Sequence, residues 1–131
     1  SLPEEPGDFI AFAFGFLATC ARTHHHLGNT LIELDGASAA RGETYFTAYH
    51  LMRPKGDPLA GPGAYDSEMD YLVGGRFVDR FECRDGEWKI VERTGLTDWM
   101  RLEPACSQGM GDLPAATVGQ RAPHDFINGA G

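Results

Sequence analysis

Three of the five histidines of the chain stand together in Thr23-His24-His25-His26-Leu27-Gly28-Asn29. Side chains alternate along an extended strand, so His24 and His26 are expected on one face, with His25 on the other beside Leu27 and Asn29. A pocket-facing His25 would be a general base, because imidazole titrates near neutrality and can take a proton from carbon or oxygen. His24 and His26 would instead begin a metal site, completed by ligands such as His50 or Glu33. A third reading makes all three histidines half-exposed or hydrogen-bonded strand residues, since short motifs often arise by chance.

A fourth imidazole, His50, ends the run Tyr45-Phe46-Thr47-Ala48-Tyr49-His50. Alternation sets His50 with Ala48 and Phe46, and Tyr49 with Thr47 and Tyr45. Further along, Asp79 and Arg80 are expected to form a structural salt bridge, because charged groups inside an apolar strand need partners when buried. Asp98 beside Trp99 raises the same question of partnership.

These residues need elements to carry them. Asp8 is placed to cap a helix over residues 9–22, with Phe9, Phe12, Phe16, Leu17 and Cys20 near one face as core. Residues 23–34 read as a strand, Asp35-Gly36 as a hairpin turn, and 39–53 as a second strand. Residues 54–68 carry three prolines and three glycines, which predicts a long loop of the kind that forms lids or rims. A third strand over 71–84 turns at Asp85-Gly86 into a fourth over 87–100. Residues 102–131, rich in Pro, Gly and Ala, are expected to form an extended tail. The pattern is an α+β layer, a helix on a curved, mainly antiparallel sheet of four or more strands with one face open to a pocket.

Composition narrows the possible partners. The 131 residues suit a single domain with its core over about 9–101, and no apolar run is long enough for a bilayer span. Nineteen acidic residues against eleven basic ones, a formal charge of −8, repel a phosphate backbone and disfavour nucleic acid. Three cysteines without a CxxC pair suggest neither a disulfide framework nor a thiolate zinc site, so a soluble, cytoplasmic protein is expected.

Taken in order, His25-His26-Leu27-Gly28-Asn29, the Asp35-Gly36 turn, Tyr45 to His50, Gly75-Arg76-Phe77-Val78-Asp79-Arg80-Phe81-Glu82, Asp85-Gly86-Glu87-Trp88-Lys89-Ile90 and Asp98-Trp99-Met100-Arg101 resemble the SnoaL-like proteins. These belong to the cone-shaped fold shared with scytalone dehydratase, hexachlorocyclohexane dehydrochlorinase, ketosteroid isomerase and nuclear transport factor 2. By this resemblance His25 is the proton-abstracting base, and His50 helps to hold or protonate a leaving group or a water. Asn29 and Tyr49 are weaker candidates for polar contacts to substrate.

The implied function is a lyase or isomerase of the dehydratase type, acting without cofactor or metal on a small apolar or aromatic molecule in an apolar pocket. The alternative is a non-catalytic ligand-binding or assembly domain, such as a module like the small subunit of ring-hydroxylating dioxygenases. The resemblance also implies a homodimer or homotrimer. Family members normally begin with two or three further helices, one bearing an Asp that orients the catalytic histidine. Since these are missing before Ser1, the chain is expected to be a fragment of a longer one.

Overall fold

The computed structural model describes residues 5–106, 110–125 and 128. One helix, α1 (Pro6–Thr19), leads into four strands, β1 (Cys20–Asp35), β2 (Ala39–Met52), β3 (Met69–Arg84) and β4 (Glu87–Pro104). The strands form one sheet in the order β1-β2-β3-β4, so each neighbour in sequence is a neighbour in space, and the α+β expectation holds.

Helix α1 starts and stops earlier than its apolar spacing predicts. Pro6 occupies the first turn, where its missing N–H costs nothing, and Glu5 is the cap residue without a side-chain capping bond. Asp8 therefore lies inside the first turn, where a carboxylate favours the positive end of the helix, and does not cap it. The chain turns extended at Cys20, and Thr19 Oγ1 donates to the Phe16 carbonyl at 2.6 Å. The expected phenylalanine core is only partly realised. Phe9 and Phe12 are exposed and Phe16 is half-buried, while Cys20 at the strand junction is 1% exposed. The helix is apolar on nearly every side, so one contact face cannot cover all of its rings.

The first hairpin turns through residues 36–38, with Asp35 still in β1 and Gly36 at positive φ, while the second turns at Asp85-Gly86 as expected. Asp85 and Gly86 both have positive φ, at 53° and 78°, which is the geometry that splices two right-twisted strands through two residues. Between β2 and β3 the loop folds back on itself, with Lys55 N–H donating to Tyr65 O at 2.7 Å and Asp57 N–H to Pro54 O at 3.1 Å. After β4, which runs past the expected end at residue 100, the tail forms short 3-10 turns at Met110–Asp112 and Ala115–Thr117.

Two compact units can be distinguished. Of the described residues, the first comprises those up to Thr23, His50–Tyr71 and those from Leu102 onward; the second comprises His24–Tyr49 and Leu72–Arg101. In the first, α1 packs through Phe16 onto His50 and Tyr71, and Arg121 of the tail donates to Leu17 O at 2.9 Å and to Thr23 Oγ1 at 3.2 Å. In the second, Phe46 stacks on Phe77 at 4.6 Å between ring centroids. Asp79, buried, is held by Arg93 and not by Arg80. Arg80 instead reaches Glu82 and Glu92, because consecutive strand residues project to opposite faces and cannot pair with each other.

Candidate active site

In the first unit His50 is 4% exposed at the end of β2. Its ring stacks on Tyr71 at 5.2 Å, and Phe16 stands edge-on to it at 5.4 Å. Nδ1 lies 3.2 Å from the Tyr71 carbonyl oxygen, which can only accept, so Nδ1 carries the proton and donates. In the neutral ring Nε2 is then the nitrogen with the lone pair, a defined tautomer set by backbone.

The same unit holds a cavity of about 290 Å³ between α1 and the 53–64 loop. Phe12, Gly15 and Phe16 line it from the helix, and Met52, Arg53 and Pro62 from the strand end and loop. Residues of the loop thus form one wall of this cavity. Arg53 pairs through Nη1 with Asp57 at 3.2 Å, while its Nε is buried without a hydrogen-bond partner among the described residues. Asp57 also accepts from the Leu59 N–H at 2.8 Å, and this bond, aided by Arg53, holds its carboxyl below the ordinary value. Sequence reasoning passed over Arg53, although an arginine directly before a Pro- and Gly-rich loop was a signal that it stands at a strand end.

In the second unit His25 and Asn29 are exposed on β1, and Tyr49 is half-buried on β2. Although His25 counts as exposed, the partial burial of its ring lowers its pKa, and the charge of neighbouring His24 lowers it further. A lowered pKa favours the neutral, proton-accepting form of the ring. Thr30 and Thr44 meet hydroxyl to hydroxyl at 3.1 Å, whereas a Cβ on Gly28 would lie 3.7 Å from the Cβ of Tyr45, one residue out of step. Such an offset is what a β-bulge introduces, and faces counted from His24 do not carry straight through Gly28 to Asn29. His25, Asn29 and Tyr49 thus lie in this unit, and His50 in the other.

The metal alternative finds no support in the donor set. Among the described residues no three His, Cys, Asp or Glu side chains gather where they could hold an ion. Nor, among them, is any helix long and apolar enough to cross a membrane.

Six solved chains match the fold. A type 2 hexachlorocyclohexane dehydrochlorinase is similar with a TM-score of 0.60 and 17% identity over 80% of this chain and 66% of its own. The Kfla4162 protein of Kribbella flavida gives 0.54 and 17%, over 72% and 59%. A protein assigned as a scytalone dehydratase, from Novosphingobium aromaticivorans, gives 0.54 and 20%, over 72% and 56%. At these identities the likeness is one of fold, and the chain spans less than two thirds of the length of these neighbours. No curated protein matches the chain. The model of the SnoaL-like domain covers residues 3–94, well over half of the chain, and takes in α1, the histidine run of β1, His50 and the β3–β4 hairpin. On that match, this chain belongs to the SnoaL-like domain family.

Proposed function

We propose that the chain is the working part of a small-molecule lyase or isomerase of the dehydratase type, with His25 as general base and His50 as the assisting imidazole. The observation that carries this reading is the place of His25, accessible on β1 within the stretch matched by the SnoaL-like domain, where partial burial and then neighbouring His24 lower its pKa. A neutral imidazole can remove a proton from carbon next to a carbonyl; electrons of the broken C–H bond then form a double bond as a leaving group departs, or return at another carbon. His50, buried at the end of β2 with its Nδ1 donating to the Tyr71 carbonyl, is assigned the assisting role. Asn29 and Tyr49 are assigned to polar contacts with an apolar or aromatic substrate.

Exchange of carbon-bound hydrogen tests the assignment. Cyclic and aryl ketones bearing a β-leaving group are incubated with the protein in D₂O and followed by NMR for deuterium uptake or elimination. His25→Gln should reduce the rate about 100-fold or more, the usual scale for loss of a general base. Exchange that survives this substitution would rule out His25.

A non-catalytic ligand-binding or assembly role is favoured by one observation, the exposure of large apolar side chains such as Leu31, Leu34, Trp88 and Trp99 on β1 and β4. Ligand binding without exchange by the wild-type chain would select that role.

A further inference from the structure

Helix α1 has few means of its own to stay in place. None of its 14 residues is buried, its first turn has no side-chain cap, and its last turn carries no basic residue. A helix of this length is marginal in water by itself, and in proteins tertiary packing is what holds one. Its ring contacts in the unit run through Phe16, which stands edge-on to both His50 and Tyr71.

The cation that the last turn lacks comes from the tail. Arg121, 104 residues beyond Leu17, donates through Nη2 to the Leu17 carbonyl at 2.9 Å and through Nη1 to Thr23 Oγ1 at 3.2 Å. One guanidinium thus bridges the end of α1 and the start of β1. Positive charge is favourable at the C-terminal end of a helix, where the last carbonyls lack partners. The Leu17 oxygen also accepts the Cys20 N–H that ends the helix. A closed turn presents the arginine: His124 N–H donates to Arg121 O at 2.9 Å, and Gln120 N–H donates to Asp125 Oδ2 at 2.9 Å. Gln120, Arg121 and His124 are exposed, so this contact can open without disturbing a core.

We propose that residues 120–125 form a releasable latch, in which Arg121 keeps α1 folded with Phe16 against His50. Displacing the tail frees the helix and loosens the packing around His50, an order-to-disorder switch at the surface that reaches a buried imidazole. The latch rests on the contacts of His50 and is independent of the catalytic role proposed for that ring.

Hydrogen exchange of the full chain, read by mass spectrometry, tests the latch. In Arg121→Met, amides in the last turn of α1 and in residues 20–23 should exchange about tenfold faster, the usual scale for losing a hydrogen bond from a charged group, with those of β3 unchanged. The His50 ring signals should also shift in NMR spectra, because the Phe16 ring leaves its edge-on place. Thr23→Val, which removes one of the two acceptors, should accelerate the same amides by a smaller factor. Unchanged exchange in α1, equal acceleration in every strand, or His50 signals that stay in place in Arg121→Met would each overturn the proposal.

Discussion

Asp79 on β3 and Arg93 on β4 meet two oxygens to two nitrogens, at 2.7 and 2.8 Å, and the Asp79 side chain is 2% exposed. Arg93 also lies over the Phe77 ring, 4.2 Å from its centroid. A two-point bond to a buried carboxylate ties the strands together in one register.

Arg93→Met should therefore cost about 2 kcal/mol, because it strands a desolvated carboxylate, though the half-exposed arginine side limits the loss. Asp79→Asn combined with Arg93→Met should recover part of it. Urea denaturation of the two variants and the wild type measures both.

Gly75 is where the sheet tolerates no side chain. A Cβ there would run into the Leu96 carbonyl oxygen, a backbone atom that cannot swing aside. Gly75→Ala should destabilise the fold by about 3 kcal/mol, the upper range for overpacking. Gly95→Ala, whose Cβ would be in ordinary contact with Phe77 at 3.9 Å, should change the denaturation midpoint little.

Exchange catalysed by His25 should depend on pH in a defined direction. The base works when unprotonated and its pKa is lowered, so the rate should hold through pH 7 and fall only as pH drops below the ordinary histidine value of 6.5. Substituting His24→Gln removes the like charge and should move that midpoint upward; burial, the larger cause, remains.

For His50, ¹⁵N NMR at neutral pH should report the proton on Nδ1, held by the Tyr71 carbonyl. Observation of a ring protonated at Nε2 and bare at Nδ1 would contradict that bond.

What the sequence made legible was what depends on few residues. Asp85-Gly86 is local backbone chemistry and forms the two-residue turn expected of it, whereas Asp35 still belongs to β1 and residues 36–38 make the first turn; β2 and β4 begin at the expected residues 39 and 87. The early start of α1 was signalled by Pro6 and outvoted by the spacing of the phenylalanines. The partner of Asp79 was illegible in principle, because it depends on which strand lies alongside and in what register. The Arg53 cavity was hidden for a similar reason: Gly61 and Pro62 return to the helix only after the loop has closed at Lys55 and Tyr65. His25 and His50 were singled out by residue type and resemblance, while the tautomer of one and the lowered pKa of the other required coordinates.

β4 is an edge strand, exposed along its whole length from Glu87 to Pro104. The outer edge of such a strand is in general a template for fibril growth, yet Glu87, Lys89, Glu92, Arg93, Asp98, Arg101 and Glu103 punctuate β4 with charges of both signs, and a proline ends it. A foreign strand laid along this edge would have to strip water from those charges and match their order. In a concentrated solution, that requirement works in favour of discrete molecules over stacked ones.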